Sequence, residues 1–160
     1  MMGTMSRFRR AGAAATGCLV LALGGCISIP AYDATTDTML TALQSNTDKL
    51  VDHLIDTYDA TPAAGKACAY SKNTQEFEGL RLTIGVLTTR ADALYNNKYT
   101  LAALANLRDT YGSFDAAVKD AEQSRPDHCV LPQLLVTDQL ALDSAVGAVL
   151  KLELAKTGGL

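Results

Sequence analysis

The chain has no tryptophan, three phenylalanines and 6% aromatic residues in all, so it lacks the flat ring platforms on which sugar-binding grooves are usually built. It has two histidines, His53 and His128, and four cysteines, Cys18, Cys26, Cys68 and Cys129. The pair His128 and Cys129 is adjacent, and sequence neighbours seldom share one ion; no other cysteine or histidine stands at metal-ligand spacing. A serine or cysteine nucleophile needs a histidine base and an orienting third group, and neither histidine sits in a recognisable context of that kind. The sequence also lacks a glycine-rich phosphate loop, a paired-cysteine motif and the glutamate-histidine pattern of di-iron bundles. An excess of basic charge is missing too: 14 Lys and Arg face 17 Asp and Glu, a net of −3. That balance argues against nucleic acid and against electrostatic docking on anionic lipid, since both want a basic surface. No apolar run reaches the roughly 20 residues that a membrane-spanning helix needs.

What is present begins with Arg7, Arg9 and Arg10, followed by a greasy stretch over residues 11 to 25 and closed by Leu23-Gly24-Gly25-Cys26. This arrangement resembles a bacterial lipoprotein signal, in which a basic start and a short apolar core lead to a box of Leu, two small residues and Cys. Gly24 is the less usual second small residue. The resemblance covers residues 1 to 27, and it implies that Leu23, Gly24 and Gly25 are read by the signal peptidase, that residues 1 to 25 are removed, and that Cys26 carries a diacylglycerol. Ile27, where an Asp would hold a Gram-negative lipoprotein in the inner membrane, implies the periplasmic face of the outer membrane; a Gram-positive source would imply the cell surface. Residues 26 to 32 then form the lipidated cysteine and a tether that reaches roughly 20 Å when extended.

Removing 25 of the 160 residues leaves 135, one domain by size, and takes away three arginines, so the net charge of −3 becomes −6. Cys18 leaves with the signal and Cys26 is lipidated, so Cys68 and Cys129 remain as an even pair, expected to form a disulfide in an oxidising compartment.

The rest of the chain reads as four helices. Over residues 33 to 58 apolar side chains recur at Leu40, Leu43, Leu50, Leu54 and Tyr58, widened by Met39, Val51 and Ile55. Asp33, Thr35, Thr36 and Asp37 offer acceptors at the start, and Thr61-Pro62-Ala63-Ala64-Gly65 supplies the stop. The second helix starts near residue 74, with Asn73 and Glu76 expected as a capping box, and carries Phe77, Leu80, Ile84, Leu87, Ala91 and Leu94 at steps of three and four. Asn96, Asn97 and Lys98 make a tight turn. The third helix is expected from Thr100, with Leu104, Leu107, Tyr111, Phe114, Val118 and Ala121, and stops ahead of Pro126. The fourth opens at Pro132 and runs to about residue 156, with Gly158 behind it. Its main stripe is Leu135, Leu142, Val146 and Val149, but Leu134, Leu140, Leu150 and Leu154 fall on other faces. Burial on two sides is the expectation for this helix, and an exposed apolar surface for a partner the alternative.

These readings combine into an all-α, antiparallel up-down-up-down four-helix bundle over residues 33 to 160, with Cys68 and Cys129 brought together at the end away from the lipid. His53 among Asp52, Asp56 and Asp59 gives a slight hint of metal or acid-base chemistry, but Asp48, Asp52, Asp56 and Asp59 at near-helical spacing describe a solvated face. The expected function is therefore non-catalytic: a membrane-anchored protein-interaction or structural module of a cell-envelope assembly, without cofactor, metal or nucleic acid. The alternative is a small-molecule-binding bundle, with Gly79, Gly85, Gly112 and Gly147 leaving room between helices.

Overall fold

The computed structural model describes residues 31–59 and 66–158. Asp33 opens the first helix: its backbone is extended and its side chain accepts from the Thr35 amide, satisfying a donor that has no partner inside the helix. Helix α1 (Ala34–Asp56) follows, with Leu40, Leu43, Leu50, Val51 and Leu54 buried on one face. A single 3₁₀ turn (Tyr70–Lys72) leads into α2 (Thr74–Asp92), then come α3 (Lys98–Ser124) and α4 (Pro132–Ala155). Pro132 sits at the first helical position, where its missing N–H costs nothing. Segment 61–65 and the residues of the lipoprotein box, Leu23, Gly24, Gly25 and Cys26, lie outside the described residues.

Each helix packs against two others, in the ring α1, α2, α3, α4 and back to α1. Pairings along the seams fix the directions. Gln44 donates to Asp143 (3.4 Å) and Gln139 to Asp48 (3.0 Å), so α1 and α4 run antiparallel. Arg90, near the end of α2, meets Asp33 at the start of α1, and Thr100 at the start of α3 meets Glu153 at the end of α4 (3.1 Å). Between α2 and α3 the Tyr111 hydroxyl donates to the Phe77 carbonyl, and the Phe77 and Phe114 rings lie 5.4 Å apart at a tilt that suits their quadrupoles. All of the expected seam residues of α3 are buried, as are those of α2 from Phe77 to Ala91, while Leu94, expected on the same seam, lies just past the end of α2 and stays partly open. Cys68 and Cys129 are joined, with a Cα separation of 5.6 Å.

Four local expectations are corrected. Helix α3 begins at Lys98, two residues ahead of Thr100, because the Asn97 carbonyl already accepts from the Leu101 amide. Asn73 precedes α2 but forms no capping box: its side-chain amide points the other way and donates to the carbonyls of Ala67 (2.7 Å) and Ala69 (3.0 Å), leaving Glu76 exposed. Helix α4 is not buried on two sides, since Leu134, Leu140 and Leu154 are 54%, 65% and 47% exposed, while Leu150 packs on the core. The glycines do not open space inside the bundle: Gly79, Gly85 and Gly112 are exposed and Gly147 half-buried, so the open space beside them lies at the surface, for Gly79 in a groove between α1 and α2.

A feature shared by the helices is that threonine and serine hydroxyls bond backward to the carbonyl four residues earlier, as Thr38, Thr41, Thr83, Thr89, Thr110, Ser113 and Thr137 do. None of the described helices is long and apolar enough to cross a membrane. The crosslink spans a sequence separation of 61, for which loop closure predicts a stabilisation of roughly 4 kcal/mol. Thermal unfolding with and without reductant checks this: reduction, or the pair Cys68→Ala and Cys129→Ala, should lower Tm while the helical far-UV signal is retained at low temperature.

Candidate functional site

The histidine-acid face of α1 does not assemble a site. His53, Asp52, Asp56 and Asp59 are exposed, Asp48 is held by Gln139, and among the described residues there is no group of three His, Cys, Asp or Glu placed to hold a metal ion. His53 instead borders a surface groove between α1 and α2, about 510 Å³ in volume. Leu50 and Leu80 form its apolar floor, with Lys49, Glu76 and Asn73 around it. The groove hydroxyl, Thr83, donates to Gly79, and Asn73 is held by two backbone carbonyls, so neither is paired with His53.

The disulfide end is a saturated polar cluster. Asp127, almost fully buried, accepts from Arg125 Nε (2.9 Å) and Nη2 (2.8 Å), from the Cys129 amide (3.4 Å) and from the Tyr58 hydroxyl (3.3 Å). The Arg125 hydrogen bonds, opposed by burial and helped by the Cys129 amide, hold its pKa down at about 2. Arg125 also donates to the Cys129 carbonyl (2.7 Å), which ties the crosslinked loop to the end of α3. His128 adopts a left-handed φ of 57°, and its Nδ1 lies 2.6 Å from the Glu122 carbonyl. The Glu122 carboxylate is itself occupied by the Ser71 amide and hydroxyl. These groups brace the end of the bundle.

At the opposite end lie two ion pairs that the sequence pattern did not single out. Arg90 grips Asp33 through both nitrogens (Nε 3.0 Å, Nη2 2.8 Å). Burial pulls the Asp33 carboxyl up, but hydrogen bonds from Thr36, Arg90 and the Thr35 amide outweigh it and leave the pKa below its ordinary value. Glu153 is fully buried; its Oε1 accepts from Lys156 (2.5 Å) and from Thr100, and Lys156 also donates to Asn97 (2.8 Å). The signal available in the sequence was a Glu and a Lys three residues apart in the leucine-rich last turns of α4, a spacing that puts them on one face.

The remaining candidate is α4 itself. Leu134 borders a groove of about 470 Å³ between α3 and α4, floored by Leu131 and Val130 and holding Asp138, whose pKa burial pushes up. Farther round the same helix, Val136, Leu140 and Leu154 are exposed at spacings of four and fourteen, one strip on the side toward α1.

The sign of the Asp127 effect follows from its lowered pKa. The folded value of about 2 lies below the ordinary 3.8, so its contribution to stability is complete above pH 3.8 and is lost as the pH falls through 2. Asp127→Asn should therefore melt earlier than the parent at neutral pH, and thermal melts in progressively more acidic buffer should show the gap closing. Compared with protein families, with curated proteins and with solved structures, the chain matches none.

Proposed function

We propose that the chain is a lipid-anchored envelope protein that works by contact with another protein. Cys26 holds it to the membrane, and the bundle acts as an interaction or structural module of an envelope assembly without catalysis. The observation that carries this reading is the apolar side chains left exposed on the outer faces of the helices, Val136, Leu140 and Leu154 along α4, with Leu134 on that helix's other side toward α3 and Leu82 and Val86 on α2. Apolar side chains left in water side by side, as Val136 and Leu140 are one turn apart, mark contact surfaces where they form a contiguous patch. The polar clusters at both ends support the same reading, because their carboxylates are engaged by neighbours in the fold. The lipoprotein-like box supplies the address: the periplasmic face of the outer membrane in a Gram-negative cell, the outer surface in a Gram-positive one. The acidic balance of the chain past residue 25 speaks against nucleic acid as the partner.

Two experiments test the two halves of the proposal. Cys26→Ala should move the protein from the membrane pellet to the soluble fraction, and retention in the pellet would remove the anchor from the reading. Crosslinking in intact cells, followed by mass spectrometry, should recover a specific envelope protein with the parent chain. The exchange Leu140→Ser with Val136→Ser should lose that partner while leaving the melting curve close to the parent's, since both side chains are solvent-exposed. An unchanged crosslinking pattern would show that this strip is not the contact.

A further inference from the structure

Charge and aromatic side chains divide the bundle into two unlike halves. If each helix is cut at its midpoint, the half containing Cys68 and Cys129 carries 12 acidic and 6 basic side chains, and the half containing Asp33, Arg90 and Lys156 carries 5 of each. The whole net charge of −6 past residue 25 thus sits in the disulfide half. The tyrosines divide the other way. Tyr111 is buried, Tyr58 and Tyr70 are half-buried near the disulfide, and the exposed three, Tyr32, Tyr95 and Tyr99, lie together at the opposite end at 38%, 83% and 68% exposure. Tyr95 is in the turn between α2 and α3, Tyr99 in the first turn of α3, and Tyr32 just ahead of α1. Beside them the charges are matched: Arg90 with Asp33, Lys156 with Glu153, and Lys98 over the Tyr99 ring at 5.0 Å.

We infer that this neutral, tyrosine-bearing end rests on the lipid bilayer itself, with the Tyr95 and Tyr99 rings in the headgroup layer and the acidic half held away from it. The inference builds on the lipoprotein reading of Cys26, which lies six residues before Tyr32 and so within roughly 20 Å of this end. A tether of that length keeps the end and the membrane in frequent contact, and contact selects which surface faces the lipid. A phenol ring has an apolar body and a polar tip, and tyrosine is enriched at the boundary between hydrocarbon and water for that reason. Anionic lipid repels the acidic half, whereas the balanced end approaches without electrostatic penalty. The occupant of this aromatic end is therefore a bilayer surface. Upright docking would leave the sides of the bundle, the α4 strip among them, open to a protein partner.

The absence of tryptophan makes the test direct, because Tyr95→Trp supplies a single fluorescent reporter at the proposed contact, and Val136→Trp supplies one near the disulfide end. Each full-length, lipidated variant is reconstituted into vesicles of phosphatidylethanolamine and phosphatidylglycerol, with and without brominated acyl chains. The expected result is blue-shifted emission and roughly twofold or greater quenching for Tyr95→Trp, as for a ring seated in the headgroup boundary, and water-like, unquenched emission for Val136→Trp. A Tyr95→Trp reporter that stays water-like on protein that floats with the vesicles would overturn the docking and leave the anchor intact. Equal quenching at both positions would show a bundle lying on its side and would overturn it as well. Protein that fails to float with vesicles would remove the anchor, and the docking with it.

Discussion

The crosslink between Cys68 and Cys129 is the constraint from which the arrangement of the bundle follows. It joins the connection after α1 to the connection after α3, so those two connections must share one end, and the helices must alternate in direction. Once they alternate, Asp33, the α2–α3 turn and the last turn of α4 are necessarily gathered at the other end. The Asp33–Arg90 pair then becomes possible, because the start of α1 and the end of α2 lie side by side at that end, and so does the reach of Lys156 to Asn97 across it. The crosslink thus sets which side chains are neighbours about two dozen residues away along each helix.

The parts of the fold that depend on helical periodicity were legible in the sequence. Phe77, Leu80, Ile84 and Leu87, and likewise Leu104, Leu107, Tyr111 and Phe114, are buried as their spacing requires, since one face of a helix must leave water and spacing alone says which. The pairing of Cys68 with Cys129 was legible for a topological reason. What the pattern could not give were choices between equivalent local partners. The Asn73 amide had the start of α2 within reach, but the tight loop around Cys68 presented the carbonyls of Ala67 and Ala69, and those took it. The start of α3 moved to Lys98 because Asn97, buried beside Lys156 and the Ala91 carbonyl, fixes the backbone two residues earlier than a start at Thr100. In α4 an apolar sequence with leucines on several faces is compatible with either burial or exposure, and the number of helices available to cover it decides which.

Glu153 illustrates the limit of reading charge from sequence. A carboxylate with no exposed surface needs compensation, and here it comes from Lys156 and Thr100, both at Oε1, while Oε2 is buried without a hydrogen-bond partner among the described residues. Asn97, bonded to Lys156 on one side and to the Ala91 carbonyl on the other, extends that compensation into the α2–α3 turn. A buried pair of this sort contributes little net stability compared with a packed apolar pair, but a slip of α4 along α3 would part Glu153 from Thr100 and Lys156 from Asn97.

The threonine and serine hydroxyls that point back along their own helices have a consequence for recognition. A hydroxyl proton already held by the carbonyl one turn earlier is not on offer to anything arriving from outside, and the same bond screens that carbonyl. Those hydroxyls are in this sense chemically mute, and what the polar faces offer a visitor is chiefly their exposed charged groups. In the protein contact proposed above, selectivity would come from shape, from apolar side chains and from the exposed carboxylates, and little from these hydroxyls.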